Sequence, residues 1–151
     1  MAVVDVPPEA QAAVKARWRR EILELDYRRE LRKLRERGYS QRQISQWLGI
    51  AQPSVHSALQ TAAKVSMPVD GFSGAGPYEI CERYAAGFVD RAQLIDELAT
   101  FPYAEPDATD GYDPLRIDPP GTWSEVSHAK RAGLIDSSIY EEVFDLRHGA
   151  R

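Results

Sequence analysis

The sequence predicts an all-α protein in two unlike parts, and three observations carry that expectation. No segment alternates apolar and polar residues as a half-buried strand would, whereas helix formers and capping signals recur along the chain. Charge is divided: residues 1–66 hold 12 Lys and Arg against 7 Asp and Glu, while residues 67–151 hold 7 against 16, within a net charge of −4. Composition changes at the same place, where three glycines and two prolines fall between Met67 and Pro77. The expected organisation is a domain at 1–66, a linker at 67–76 and a helical domain at 77–151. Such asymmetry often marks a basic binding module joined to something else.

The first long element runs from about Glu9 to Arg37, after Pro7 and Pro8, with no Pro or Gly inside it. Its apolar residues fall in two stripes. Val14, Trp18, Ile22 and Leu25 share one side, and Leu23, Tyr27, Leu31 and Leu34 share nearly the opposite side. The later stripe is expected to cover the small domain that follows, the earlier one the C-terminal half or a second subunit. Arg17, Arg19, Arg20, Arg28, Arg29, Arg32 and Lys33 are interleaved with Glu21, Glu24, Asp26, Glu30 and Glu36, so many should pair along a solvated face.

Gly38 ends this helix, Ser40 is a good N-cap for the next, and Gly38 to Leu59 follows a helix-turn-helix pattern. A short helix, Gln41 to Leu48, is expected to turn Ile44, Trp47 and Leu48 inward. Gly49 permits the left-handed turn, Ile50 is expected to plug the space between the helices, and Val55 and Leu59 anchor a second helix that starts near Gln52. In this motif the second helix enters the major groove. Its outer face, Gln52, Pro53, Ser54, His56, Ser57 and Gln60, carries the small and amide side chains that let base edges approach. Ser40, Arg42 and Lys64 are the candidates for phosphate. A plain three-helix bundle would need the same glycine and anchors, but its solvated helix would carry Glu and Lys. Gln43 to Ala63 carries neither.

The second half holds an internal repeat. Glu79 to Asp90 lies on Glu125 to Asp136 at an offset of 46, with Glu79/Glu125, Ala86/Ala132, Gly87/Gly133 and Asp90/Asp136 identical. Each copy reads as helix, Gly cap, apolar pair, Asp N-cap and helix, which is an αα-hairpin. Thr122 to Glu125 reads as a capping box for the third of these helices, and Phe101 to Gly121 as a loop anchored by Phe101, Tyr103 and Tyr112. Although this half is acidic, Arg116, Ser124, Ser127, His128, Lys130 and Arg131 gather at one helix, a candidate second DNA-contacting module. The plainer alternative is a dimerisation or partner-docking domain.

No catalytic residue, metal or cofactor is expected. Glu125-x-x-His128 lacks the second such pair that a bundle metal site needs, so a solvated pair is expected. Cys81 sits in an amphipathic helix as a small core residue, and a single cysteine asks for no oxidising compartment. The N-terminus has no basic start and no stretch is apolar enough for a span, so neither export nor a membrane partner is expected.

The segment Asp26 to Leu31, the motif Gly38 to His56, the join Gly71 to Ala75 and the tail Asp118 to Trp123 resemble the immunity repressors of temperate mycobacteriophages. The group resembled is the one whose repressor also binds many stoperator sites across the phage genome. That resemblance implies a cytoplasmic repressor that keeps a prophage silent. It also implies short asymmetric sites on double-stranded DNA, read by two unlike modules of a monomer, with no small-molecule ligand. Ala51 departs from the generic motif, where Ser or Thr usually caps the second helix, and this puts that cap in question. The alternative is a helix-turn-helix regulator or antitoxin whose acidic half forms a homodimer or docks a protein.

Overall fold

The computed structural model describes residues 5–105 and 120–149, and every regular element among them is a helix. In chain order these are α1 (Pro8–Glu36), α2 (Gln41–Leu48), α3 (Gln52–Ala62), α4 (Pro77–Ala86), α5 (Arg91–Thr100), α6 (Ser124–Arg131) and α7 (Ser137–Arg147). None of them is long and apolar enough to cross a membrane. The described residues form two compact units. One is Arg20–Met67; the other joins the residues up to Arg19 with those from Pro68 onward. The start of α1, which the sequence reading put in the 1–66 domain, thus belongs to the larger unit.

α1 meets different cores along its length, as its two stripes anticipate. Trp18 packs against the core of the larger unit, and Leu31 is buried in the smaller one with Leu34 beside it. Leu23 and Tyr27 of the later stripe stay exposed. The interleaved charges pair on the helix surface, Arg28 with Glu24 at 3.4 Å, Arg32 with Glu36 at 2.8 Å and Lys33 with Glu30 at 3.0 Å. These exposed pairs contribute little each. Arg29, by contrast, is buried, and its Nε donates to the carbonyl of Ser66 at 3.0 Å. Arg32 Nη1 donates to the carbonyl of Val65. These bonds tie the chain leaving α3 back onto α1.

In the smaller unit α2 packs on α3 around Leu31, Ile44, Val55, Leu59 and Ala62. Ser40 makes the full capping box: its Oγ accepts from Gln43 N–H at 3.1 Å, and Gln43 Oε1 accepts from Ser40 N–H at 3.0 Å. Gly49 closes α2 in the left-handed region at φ 70°, where a Cβ would be strained. Two expectations are corrected here. Trp47 and Leu48 do not face inward and Ile50 plugs no gap, since they are 58%, 39% and 38% exposed. One apolar residue of this two-turn helix, Ile44, fills the space against α3, and Trp47 turns outward to meet Tyr39 edge-on at 5.0 Å.

The larger unit realises the repeat. Phe88 N–H reaches back to the carbonyl of Arg83 at 2.8 Å, and Leu134 N–H, 46 residues on, to that of Ala129 at 3.0 Å. This is the same helix-ending bond in both copies. Asp90 caps α5 through Gln93 N–H at 2.8 Å, and Asp136 caps α7 through Ile139 N–H at 2.9 Å. α4 packs on α6 and α5 on α7, so equivalent helices of the two hairpins meet. Between them lie Ile80, Leu94, Leu98, Val126, Ile139 and Val143, all buried.

Three carboxylates fasten the segments before these helices. Glu79 Oε1 accepts from Ala75 N–H at 2.9 Å, and its repeat partner Glu125 accepts from Gly121 N–H, also four residues upstream. Glu125 further accepts from Tyr78 N–H at 3.2 Å. This corrects both the capping box and the solvated Glu125–His128 pair. Trp123, the N-cap, already has helical dihedrals, and Thr122 Oγ1 lies 2.6 Å from Ser124 Oγ rather than capping α6. Glu97 holds Ser73 through its N–H at 2.5 Å and its Oγ at 2.6 Å. The stretch expected as a linker is therefore folded into the larger unit. At Gly74 a Cβ would stand 2.8 Å from Glu79 Cδ, so close approach requires glycine there.

Of the expected loop anchors, Phe101 is buried, and Tyr103 Oη donates to the carbonyl of Leu98 at 2.6 Å, while Tyr112 lies outside the described residues. Burial pushes the Cys81 thiol up to about 12, with Glu82 and Glu125 acting in the same direction. Cys81 is an inert core residue, as expected from its place in the sequence.

Candidate nucleic-acid interface

The side chains singled out on α3 share its outer surface. Val55 and Leu59 are buried and orient the helix, and this leaves Gln52, Pro53, Ser54, His56, Ser57 and Gln60 exposed. The face carries no charged side chain. Pro53 stands in the first turn, where its missing N–H is harmless. Ala51 makes no side-chain cap bond, so the first N–H groups of α3 have no side-chain acceptor from that residue. Pro53 has no N–H, and the N–H groups of Ser54 and Val55 donate to the Ala51 carbonyl at 3.0 and 3.1 Å.

The three phosphate candidates differ in how they are engaged. Arg42 and Lys64 are exposed and enter no ion pair among the described residues. Ser40 is exposed too, but its hydroxyl is committed to the capping box, 3.1 Å from Gln43 N and 3.2 Å from Gln43 Oε1. Sequence reasoning missed one residue at this surface. Gln41, the first residue of α2, places its Nε2 3.0 Å from His56 Nδ1. A separation of 15 residues has no helical period to announce it.

On α6, Ser124, Ser127, His128, Lys130 and Arg131 are held in unequal ways, and Arg116 lies outside the described residues. Ser127 Oγ lies 3.3 Å from Tyr140 Oη, and the Lys130 ammonium sits over the Tyr140 ring at 4.8 Å. Trp123 Nε1 donates to the same Tyr140 oxygen at 3.2 Å. These groups hold the Tyr140 hydroxyl below its ordinary titration range, the hydrogen bond from Ser127 most strongly. His128 is exposed with its ring 4.9 Å from that of Tyr78, and Arg131 is exposed. Beside α6 opens a cleft of about 490 Å³ whose lining includes Tyr103, Trp123, Arg147 and His148.

The repeat gives an internal comparison for α6. Where α6 has Ser127, His128, Lys130 and Arg131, α4 has Cys81, Glu82, Tyr84 and Ala85. The scaffold is shared, and at these four positions the basic side chains belong to α6 alone, the one cation of α4, Arg83, being buried against Glu79. Among the described residues no group of His, Cys, Asp and Glu is gathered in a way that could hold a metal ion. No family model matches the chain, and no curated protein or solved structure matches it either.

Proposed function

We propose that this chain is a sequence-specific DNA-binding transcriptional repressor, of the kind that keeps a temperate phage silent. In this reading α2, the Gly49 turn and α3 act as a helix-turn-helix, with Gln52, Pro53, Ser54, His56, Ser57 and Gln60 towards base edges or the groove wall. Arg42 and Lys64 hold phosphates, while Ser40 holds the start of α2 through its capping box. The observation that carries the reading is the outer face of α3, which is uncharged, exposed and built of amide and small side chains. A helix solvated for its own sake carries Glu and Lys, and this one carries none. Amide side chains match the donor and acceptor pattern of the major groove.

α6 supplies the second reader, through His128, Lys130 and Arg131 with Ser124 and Ser127. The acidity of the rest of its half discourages broad phosphate binding and leaves α6 as the surface with cations to offer. Two unlike readers in one chain call for an asymmetric site and a monomer. Repression is steric: occupancy of a promoter excludes polymerase, or a bound site stalls the elongating transcript. The exposure of Phe144 and Leu146 on α7, 43% and 59%, favours a second reading in which the acidic half forms a homodimer or docks a protein.

Selection of bound sequences from a random duplex library, at one stated salt, tests both readings. The full chain is expected to enrich one asymmetric motif, and His128→Ala/Lys130→Ala/Arg131→Ala a shorter one. A palindrome, with a solution mass near twice 17.0 kDa, would move α6 and α7 to the second reading. No enrichment would sink DNA binding.

A further inference from the structure

We infer that Gln41 is a positioning residue that fixes the tautomer of His56, and so sets which base His56 reads; this rests on the reading of α3 as a DNA-facing helix. Gln41 lies at the start of α2 and is half-buried, whereas His56 is exposed midway along α3. Its amide Nε2 stands 3.0 Å from His56 Nδ1. An amide nitrogen only donates, so Nδ1 must offer its lone pair, and in the neutral ring the proton then sits on Nε2. The other face of the imidazole therefore presents an N–H donor to solvent, where the groove would lie. A donor in the major groove selects an acceptor, O6 or N7 of guanine, N7 of adenine or O4 of thymine, and rejects cytosine, which offers only its N4 donor there. The neighbouring Ser54, Ser57, Gln52 and Gln60 each both donate and accept, so none of them discriminates by hydrogen-bond polarity alone. On this face His56 is the group with a single polarity, because it is Nε2 and not Oε1 of the Gln41 amide that stands against Nδ1.

The pairing makes a further demand. Glutamate at position 41 reverses the bond, because a carboxylate only accepts. Nδ1 would then carry the proton, and Nε2 of the neutral ring would turn a lone pair outward. The preference at that one position should move away from guanine and thymine, which only accept in the major groove, towards cytosine, which only donates, with adenine tolerated in both forms. A residue that merely props α2 against α3 would change affinity without changing the base.

Two measurements on the full chain test this. The first is a long-range 1H–15N correlation spectrum of the free protein at alkaline pH, with the His56 signals assigned by His56→Asn. Wild type should show a protonated Nε2 and a lone pair on Nδ1, Gln41→Ala a mixture, and Gln41→Glu the reverse. A wild-type Nδ1–H tautomer, or spectra that do not respond to either substitution, would overturn the pairing. The second profiles all four bases at each position of the selected duplex. Gln41→Ala and His56→Ala should lose about fivefold of discrimination at the same single position. Gln41→Glu should exchange the preferred base there. Enrichment by all forms with unchanged base preference overturns the assignment while leaving DNA binding intact. Failure of wild type to enrich any sequence overturns the DNA reading itself, and the spectrum still decides the Gln41–His56 bond.

Discussion

Removing the Glu97 carboxylate should unfasten the Pro68–Gly76 segment from the larger unit. Glu97 is 6% exposed and accepts three hydrogen bonds, from Ser73 N–H at 2.5 Å, Ser73 Oγ at 2.6 Å and Gln93 Nε2 at 2.8 Å. A hydrogen bond to a charged group contributes about 1.5–3 kcal/mol net. Ser73 is half-buried and Gln93 exposed, so water would recover part of each bond. The loss for Glu97→Ala is then about 3 kcal/mol rather than the full sum. Glu97→Gln keeps one acceptor for Ser73 N–H and should lose about half as much. Urea unfolding in a Trp47→Phe background reads this unit alone, because Trp18 and Trp123 both belong to it. The midpoint should fall by about 1–2 M for Glu97→Ala, and the melting temperature by about 12–16 °C. A midpoint within about 0.2 M of wild type, at an unchanged slope, would show that Glu97 fastens nothing.

Three further outcomes follow from other parts of the molecule. Cys81, buried and with its thiol raised to about 12, should react with a disulfide reagent more than about a hundredfold slower in the native chain than in denaturant; equal rates would place it at the surface. The Asp136 carboxyl is held below its ordinary range, chiefly by the bond from Ile139 N–H and then by Ser138. A depressed carboxylate contributes stability that is present above its unfolded titration and is lost as pH falls through the folded one. Asp136→Asn keeps a capping oxygen that does not titrate, so its stability should fall less steeply through the acid range; identical slopes would contradict this. Arg29→Ala removes the buried bond to the Ser66 carbonyl and should destabilise Arg20–Met67 by about 2 kcal/mol in chemical denaturation. An unchanged midpoint would mean that α1 holds the exit of α3 by other means.

What the sequence made legible was local. Ser40, Gly49, Asp90 and Asp136 act within a few residues of themselves, and each does what its type prefers. The repeat was legible because the same cap recurs at the same offset. What escaped depends on partners far along the chain. Trp47 and Leu48 fit the inner face of α2 by spacing and Ile50 the gap between the helices, but spacing does not say how little space Ile44 leaves against α3. Glu125 read as one half of a capping box or of a solvated pair, yet it answers Gly121 N–H and, 47 residues away, Tyr78 N–H. The glycines and prolines after Met67 marked the end of helix correctly. Only the contact between Ser73 and Glu97, 24 residues apart, turns that stretch from a connector into folded structure. At the candidate interface the exposed row on α3 was legible from period alone, whereas the bond that orients His56 was not.

The central claim is that the outer face of α3 lies against DNA, and two carboxylates placed there test it most directly. Ser54 and Ser57 are exposed and lie outside the core, so Ser54→Glu/Ser57→Glu should keep the wild-type circular dichroism and melting temperature. Binding to the duplex that the wild-type chain selects should be measured by fluorescence anisotropy at fixed salt. A loss of about tenfold or more is expected, since each carboxylate would enter the negative field of the groove between the two phosphate backbones. Wild-type affinity in a folded variant would contradict it.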